Sequence, residues 1–333
     1  MKRFLAQAIL ILALLVATTS QTFAQDPQYS QFYSNLVMLN PAFTGSGIGP
    51  RVALNSRGQW IKIPGFYQQF AASYDQPVQF LGTTQGIGVN FSADRAGEGD
   101  LTKLNVTFNY AYQLEVADDN FLRFGLSGGI IQASIDPFKL TFPDQLDPLN
   151  GGVGATREPI QEWTTNRLTE DVNAGVAFFN EFAWVGLTVN HITQPDEIFT
   201  LRGSGVDRRL PRKYTLTGGL NIPLRSMRSR RDVSITPAFL TKFQGDFFQV
   251  DAGLYVNADP MVFGMWYRHQ DAVIGLVGIR YENISFGISY DYTISELRQA
   301  NSGGSIEASV VMEFESRRNF KPMKHRKLPC PKF

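Results

Sequence analysis

One pentapeptide of the chain has the spacing of a serine hydrolase nucleophile. Gly125-Leu126-Ser127-Gly128-Gly129 matches G-x-S-x-G, a pattern in which a sharp turn between a strand and a helix exposes the serine hydroxyl. In this chain the pentapeptide lies inside a predicted strand, and its glycines have the spacing of a closely packed sheet. Without the strand–turn–helix context, the pattern does not indicate an activated serine. We therefore expect no enzymatic activity and no catalytic residue.

Metal-binding residues are few and widely separated. The three histidines are His191, His269 and His325, and the single cysteine is Cys330. One cysteine excludes an intrachain disulfide framework, an iron–sulfur cluster and a cysteine-rich zinc site. One long connection offers oxygen ligands for Ca²⁺, although their spacing fits no EF-hand and the prolines between them indicate turns: Asp136, Asp144, Asp147 and Asn150. The sequence therefore predicts neither a metal ion nor a cofactor.

The N-terminus has the order of regions found in a secretory signal peptide. Lys2 and Arg3 precede an apolar run at 8–17, and Thr22-Phe23-Ala24 follows as a small-residue cleavage site. The alternative is a transmembrane anchor, but the apolar run is too short to span a bilayer. We therefore expect residues 1–24 to be a signal peptide and the rest of the chain to leave the cytoplasm.

The exported part of the chain alternates between apolar and polar residues, as β-strands do. Within 104–113 and 284–292, every second residue is apolar or aromatic, and the residues between them are small or polar. A soluble sandwich alternates as well, but here the polar face is rich in Gly, Ser, Thr and Asn and poor in Lys and Glu. Aromatic residues also recur near the ends of the apolar faces, as in the girdle of a membrane barrel: Tyr74, Tyr112, Phe178, Trp266 and Tyr292. The pattern favours an all-β fold, a transmembrane antiparallel up-and-down β-barrel.

We predict fourteen strands within a barrel domain at 51–316, an even number as in single-chain bacterial barrels. The predicted strands are 51–61, 66–75, 84–92, 102–113, 121–134, 171–179, 182–190, 212–221, 232–243, 246–257, 261–269, 272–281, 284–293 and 305–315. Connections after odd-numbered strands include the longest, 135–170 and 191–211, whereas Asn180-Glu181 and Glu282-Asn283 are tight turns. Outer-membrane barrels have long extracellular loops and short periplasmic turns, so the first strand is expected to begin on the periplasmic side.

Positive charge is concentrated in two segments that this topology places in the periplasm. The chain has 31 Lys and Arg against 30 Asp and Glu, so a globally basic nucleic-acid-binding protein is not expected. The connection 222–231 and the tail 317–333 are basic, and we interpret them as a docking surface for an acidic partner. Contact with lipid phosphates and a merely solvated tail are the alternatives. The docking residues are Arg225, Arg228, Arg230, Arg231, Arg317, Arg318, Lys321, Lys324, Arg326 and Lys327.

The segment 25–50, before the first strand, is too apolar to extend freely into the periplasm. We predict that it plugs the barrel lumen or caps its periplasmic opening; a partial fifteenth strand and an amphipathic surface helix are the alternatives. Strand parity also places charges inside, and an ion pair between Arg57 and Asp75 could hold the segment. The alternative is the lining of a wet channel, in which such pairs contribute less than about 1 kcal/mol. The predicted lumen and plug residues are Tyr29, Phe32, Tyr33, Asn40, Pro41, Phe43, Arg57, Trp60, Asp75, Asp251 and Asp291.

A set of short motifs runs through nearly the whole exported chain. They are Asp26-Pro27-Gln28-Tyr29-Ser30-Gln31-Phe32-Tyr33, Leu39-Asn40-Pro41-Ala42-Phe43-Thr44-Gly45, Arg57-Gly58-Gln59-Trp60, Ser73-Tyr74-Asp75, Ser289-Tyr290-Asp291-Tyr292, Gly303-Gly304-Ser305 and Cys330-Pro331-Lys332-Phe333. In type and order these motifs resemble the PorP/SprF family, outer-membrane proteins linked to type IX secretion in Bacteroidota. The first motif is the most specific of them.

This resemblance implies a role in exporting or displaying surface adhesins or other cargo, connected in some relatives with gliding motility. It implies partners among cargo C-terminal domains and periplasmic secretion components, in addition to outer-membrane lipid. On this interpretation the outer loops 135–170 and 191–211 contact cargo, and the basic tail docks onto periplasmic components. The residues alone leave open a substrate-specific channel or porin, and a more distant third hypothesis is an outer-membrane hydrolase.

Overall fold

The structure is a computed structural model that describes residues 26–63, 65–80, 82–146, 154–163, 165–196, 209–224, 233–295 and 303–314. Parts of the two long connections, 147–153 with Asp147 and Asn150 and 197–208, lie outside the described residues. Three further predicted regions lie outside them as well. They are the signal peptide, the basic connection at 225–232 and the tail at 317–333. All of the proposed docking cations belong to the last two regions, so the docking surface stays a prediction.

The described residues form fifteen β-strands and a few short helical turns. The strands are β1 (Arg51–Gln59), β2 (Tyr67–Phe80), β3 (Thr83–Ala96), β4 (Leu101–Ala117), β5 (Asn120–Ser134), β6 (Asn166–Phe179), β7 (Ala183–Asn190), β8 (Lys213–Leu220), β9 (Ile222–Leu224), β10 (Val233–Gln244), β11 (Phe247–Ala258), β12 (Met261–Arg268), β13 (Ala272–Tyr281), β14 (Ile284–Thr293) and β15 (Ser305–Glu313). One helical turn, α1 (Leu36–Leu39), precedes them, followed by the 3₁₀ turns Pro41–Phe43, Pro137–Lys139, Pro143–Gln145 and Ile160–Glu162.

The strands close into an antiparallel barrel. Each strand pairs with its neighbours in the chain, and β15 pairs with β1 from Ser305↔Gln59 to Glu313↔Arg51. β8 and β9 both pair with β10, at different points along it. Because β9 continues the position of β8 in the wall, the barrel has fourteen strand positions. The predicted fold class and strand count are confirmed.

Side chains alternate between the interior and the exterior of this barrel. On β14, Ser285, Ser289 and Asp291 are buried, whereas Ile284 and Phe286 between them are each 41% exposed. On β6 the exposed Val172 likewise lies between polar residues that are buried, whereas on β13 the buried residues are apolar as well. A continuous apolar exterior of this extent is not stable in water, and lipid is the medium that matches it.

Trp266 is the exception among the predicted girdle residues. It is 2% exposed and lies in the lumen, whereas Tyr74 and Tyr292 are 40% and 48% exposed on the outer face. The prediction for Trp266 was wrong because both faces of β12 are apolar, so that alternation alone does not orient the strand. Tyr267 has the outward orientation instead.

The two ends of the barrel differ in the length of their connections. The end that we call the outer end carries the connections 135–165 and 191–212, and the inner end carries short turns such as 180–182 and 282–283. The same asymmetry in outer-membrane barrels assigns the outer end to the extracellular side. Within the described ranges, no helix reaches the length and hydrophobicity needed to cross a bilayer.

Candidate functional site: the polar lumen and the N-terminal segment

The N-terminal segment, residues 26–50, contacts inward-facing residues around the whole barrel wall. Its first residues lie at the outer end, where Asp26 meets the first residue of β8, Lys213. Its last residues lie at the inner end, where the main-chain carbonyl of Pro50 accepts a hydrogen bond from Phe314 N. The segment therefore runs from the outer end to the inner end before it enters β1.

Three cations of the barrel wall surround the carboxylate of Asp26 at the outer end. Lys213 Nζ is 2.5 Å from Asp26 Oδ2, His191 Nε2 is 2.7 Å from the same oxygen, and Lys103 Nζ is 3.6 Å from Asp26 Oδ1. The other imidazole nitrogen of His191, Nδ1, lies 3.1 Å from Asp171 Oδ1. We call Asp26, Lys103, His191 and Lys213 the outer ionic cluster.

The charges of this cluster stabilise one another. Burial lowers the pKa of His191, but the charge of Asp26 and hydrogen bonds to Asp171 and Asp26 outweigh it and raise the pKa to about 9. Burial raises the pKa of Asp26, but His191, Lys213 and Lys103 together hold it well below its usual value. His191 is therefore an imidazolium at neutral pH, with both ring nitrogens donating to carboxylates.

A second group of buried charges lies in the lumen along one side of the wall, on β1, β12, β14 and β15. Arg57 Nη2 is 2.7 Å from Asp291 Oδ2, and Arg57 Nη1 is 3.4 Å from Glu307 Oε2. Arg268 Nη1 is 3.6 Å from the same oxygen of Asp291. The hydroxyl of Ser30 lies among them, accepting from both arginines and donating to Asp291 at 2.6 Å. These charges, with Ser30, form the arginine–carboxylate cluster.

Glu307 of this cluster also binds the main chain of the N-terminal segment. Its carboxylate accepts from Ser30 N at 2.7 Å and from Gln31 N at 3.2 Å. The side chain of Gln31 donates to Ser289 Oγ and Glu307 O, and it accepts from Ser309 Oγ at 2.6 Å. The segment is thus bonded to β14 and β15, the last strands of the chain.

The predicted pair of Arg57 with Asp75 was wrong. Asp75 pairs instead with Arg51, whose Nε and Nη2 lie 2.9 and 3.0 Å from its two carboxylate oxygens. The strand register explains this, because Arg51 is directly opposite Asp75 whereas Arg57 is opposite Gln69. Asp75 nevertheless contacts the N-terminal segment, since it accepts a 2.7 Å hydrogen bond from Gly45 N.

The 3₁₀ turn of the segment is fixed to the inner half of the wall. Asn40 caps the turn Pro41–Phe43 by accepting from Ala42 N at 2.8 Å, and its amide donates to carbonyls of β6 and β7. At the other end of the turn, Arg123 of β5 donates to Ala42 O at 2.8 Å and to Thr44 O. Arg123 is 1% exposed, and its buried guanidinium finds its hydrogen-bond partners in these carbonyls and in Gln113 Oε1 of β4, at 2.8 Å.

Glycines of the wall make room for this turn. A Cβ atom at Gly125 would lie 2.1 Å from Ala42 N, and one at Gly86 would lie 1.8 Å from Thr44 O. Neither distance is compatible with a side chain. The backbone of the segment therefore packs directly against the backbone of β3 and β5, with no space for a side chain between them.

The lumen has one dry side and one wet side. On the dry side, the ring of Phe32 packs edge-on against Trp266 at 5.0 Å, and Tyr33 packs against Tyr255 at 4.9 Å. On the wet side, a cavity of about 60 Å³ separates the segment from β3–β7. Its lining is mostly polar and includes the outer ionic cluster and Asn105, Asn109 and Asn173. This volume has room for about four water molecules.

The residues with possible chemistry have structural roles. Ser127 is buried in the middle of β5, where its hydroxyl accepts from Asn173 at 3.0 Å, and no sharp turn exposes it. Asp144 accepts from Thr156 Oγ1 and from Arg157 N, as in a loop-stabilising turn. In the part of the chain that the structure describes, no group of three or more acidic, histidine or cysteine residues could hold a metal ion.

The structure places most of the proposed lumen residues together. Asp251 and Asp291 are 2% exposed. Trp60 is half-buried in the turn after β1, and its main-chain N–H donates to Gly304 O. The other proposed residues are buried or half-buried: Tyr29, Phe32, Tyr33, Asn40, Pro41, Phe43, Arg57 and Asp75.

Several residues of the site were not identified from the sequence: Lys103, Arg123, Asp171, His191, Lys213, Arg268 and Glu307. For Asp171 and Glu307 the signal was available, because each has polar residues two positions away on the same face: Thr169 and Asn173 for Asp171, and Ser305 and Ser309 for Glu307. Arg123 and Arg268 have the aromatic residues Phe121 and Trp266 at that spacing, so alternation does not assign them to the interior. His191 was considered only as a metal ligand and follows β7, where parity no longer applies.

The chain is similar to known proteins in both sequence and fold. A family model described as "Type IX secretion system membrane protein PorP/SprF" matches residues 21–312. Among solved structures, the chain is similar to the Ralstonia pickettii toluene transporter TbuX, with 12% identity, a TM-score of 0.45 and coverage of 84% of this chain and 94% of that one. A TodX deltaS2S3 mutant monoaromatic hydrocarbon channel gives 13% identity, a TM-score of 0.46 and coverage of 85% and 94%. The comparison with curated proteins finds no significant match.

Proposed function

The chain belongs to the PorP/SprF family of type IX secretion system membrane proteins, and from this premise we propose that it is an outer-membrane anchor for secretion partners. On this proposal the signal peptide directs the chain out of the cytoplasm, and the barrel holds it in the outer membrane. The barrel binds cargo and periplasmic components of the secretion system and carries out no chemical reaction.

The observation that carries this proposal is the bonding of the N-terminal segment inside the barrel. We propose that the segment is a permanent plug, because its polar groups are paired with the wall at both ends. Ser30 and Gln31 are bonded to β14 and β15, and the turn at Pro41–Phe43 is bonded to β5–β7. A lumen filled in this way favours a binding protein over an open channel.

We propose that cargo and periplasmic partners bind at opposite ends of the barrel. The outer connections 135–170 and 191–211 are the longest and are available to C-terminal domains of secreted cargo or adhesins. The basic connection 222–231 and the tail 317–333 are available to acidic surfaces of periplasmic components, since clustered like charges are typical of interaction tails. Gliding is a further expectation for cargo that consists of motility adhesins.

Conductance separates this proposal from the channel hypothesis. The purified protein in a planar lipid bilayer is expected to show no steady current, because on this proposal the segment occupies the lumen. As a positive control, a variant that lacks residues 26–46 is expected to conduct if it still forms a barrel. A steady open pore in the unaltered protein would support a substrate-specific channel and contradict the anchor.

Partner binding is tested by affinity purification from native outer membranes, with identification of the proteins that copurify. The full chain is expected to retain secretion components, and removal of 317–333 is expected to abolish their copurification while the barrel still inserts. A matched control exchanges the six cations of the tail that precede Cys330 for glutamine and keeps its length. Unchanged secretion and copurification in both variants would reject docking by the tail.

A further inference from the structure

Among the described residues, each cation that contacts Asp26 belongs to the wall of the barrel or directly adjoins it. Lys103 belongs to β4, Lys213 begins β8, and His191 directly follows β7. His191 is oriented by the wall as well, because Asp171 Oδ1 is 3.1 Å from its Nδ1 and Asn173 Oδ1 accepts from its main-chain N–H at 2.9 Å. The N-terminal segment therefore contributes only the carboxylate, and the wall contributes the receiving site.

The main chain that carries this carboxylate is weakly bonded to the wall. Asp26 N makes a single long hydrogen bond, 3.5 Å, to Gln244 Oε1. By contrast, Ser30 and Gln31 each donate from the main chain to Glu307. Asp26 can therefore leave its position without disturbing the bonds that hold the segment from Ser30 onwards.

The wet cavity beside the cluster has unpaired acceptors. Asn105 Oδ1, Asp94 Oδ1 and Asp171 Oδ2 are buried and accept no hydrogen bond from a described residue, and all three residues line the cavity. A ligand that fills this space thus needs hydrogen-bond donors next to its carboxylate. A peptide has both, because main-chain N–H groups flank each acidic side chain and the C-terminal carboxylate.

We propose that Lys103, His191 and Lys213 form a binding site for a carboxylate of an acidic peptide, which Asp26 occupies while the peptide is absent. The inference deepens the proposed function and rests on it, since the site opens at the end where an exported partner would bind. The peptide carboxylate replaces Asp26 between the three cations, and its main-chain N–H groups bind the unpaired acceptors of the cavity. No covalent bond changes.

The test uses the full barrel in detergent with Asp26→Ala, which empties the site, and small carboxylates as probes. Acetate offers a carboxylate alone, whereas N-acetylglycine offers a carboxylate with an adjacent N–H. The Tm of Asp26→Ala is expected to rise with the logarithm of probe concentration. At a given concentration, the rise is expected to be larger with N-acetylglycine than with acetate. Both rises are expected to exceed that caused by the same concentration of chloride. The unaltered protein, whose site is filled, is expected to respond far less.

Two controls keep the result specific. Adding Lys213→Ala to Asp26→Ala removes one cation and is expected to abolish the response, and Asp26→Asn provides a second, isosteric variant should Asp26→Ala not fold. The site would be overturned if the probes raised the Tm of Asp26→Ala and Asp26→Asn no more than chloride does. It would also be overturned if they raised the Tm of the unaltered protein equally. If Tm does not rise with the probes but partners still copurify with the full chain, the site alone is rejected. If Tm rises as expected but no partners copurify, the proposed function is rejected.

Discussion

At the scale of single residues, buried charges of the lumen bind both the barrel wall and the N-terminal segment. A buried carboxylate is costly unless its charge is paired and its oxygens accept hydrogen bonds. Glu307 is fully buried, and it meets both conditions through Arg57 and the N–H groups of Ser30 and Gln31. The arrangement couples the segment to the wall, since neither is satisfied without the other.

Exchange of Glu307 for glutamine tests this coupling. Glu307→Gln keeps the shape of the side chain but removes the charge that faces Arg57, so we expect the free energy of unfolding to fall by about 3 kcal/mol. Urea unfolding in lipid vesicles, followed by the electrophoretic shift between folded and heated barrels, measures the change. Glu158→Gln, on an exposed residue of an outer connection, is the matched control and is expected to have little effect. Equal stability of both variants would contradict the coupling.

The outer ionic cluster predicts how stability depends on pH. The pKa of His191 is about 9 in the folded protein and 6.5 ordinarily, so folding favours its protonated form. Its contribution is therefore fully present below pH 6.5 and is lost as the pH rises through about 9, an effect of roughly 3 kcal/mol. We expect Tm in detergent to decrease between pH 7 and 10. His191→Gln is expected to make the decrease of Tm smaller. An equal decrease in the variant and in the unaltered protein would contradict the role of His191.

At the scale of the strand, side-chain orientation can be predicted from the sequence where the two faces of the strand differ in polarity. β14 alternates between apolar and polar residues over its whole length, and its predicted bounds, 284–293, are those of the structure. β12 was located correctly, but its Trp266 was assigned to the wrong face, because Val262 and Trp266 line an apolar part of the lumen. Apolar residues face inward there because Phe32 packs on them, which is information from outside the strand.

Close packing of the strand on the segment is tested by two glycines of β5. Gly125→Ala places a methyl group against Ala42 N, whereas Gly128→Ala, three residues along the same strand, places it where no atom lies within 4 Å. We expect Gly125→Ala to displace the turn at Pro41–Phe43 and to lower stability by about 1–3 kcal/mol. Gly128→Ala is expected to be neutral. Protease cleavage within residues 40–46 and Tm report both effects, and identical behaviour of the two variants would show that the segment is not packed on β5.

At the scale of the whole molecule, contacts between residues far apart in the sequence could not be predicted from local patterns. Ser30 bonds Asp291 across 261 residues of chain, and the partner of Asp75 depended on strand register rather than parity. The sequence predicted that the segment is apolar enough to be buried. Its direction, from the outer end to the inner end, follows only from contacts with residues such as Lys213 that adjoin outer connections.

The medium around the barrel is tested by placing a charge on its exterior. Leu126 lies near the middle of β5 and is 59% exposed, and Phe138 is 69% exposed in an outer connection. If lipid surrounds the strands, Leu126→Arg buries a guanidinium in hydrocarbon and costs about 2–4 kcal/mol of folding free energy in vesicles. Phe138→Arg faces water and costs little. Both side chains are more than half exposed, so a difference in stability between the two variants cannot come from exposure alone. It reports the medium around each side chain. Equal and small effects would mean that water, not lipid, contacts the apolar face of β5.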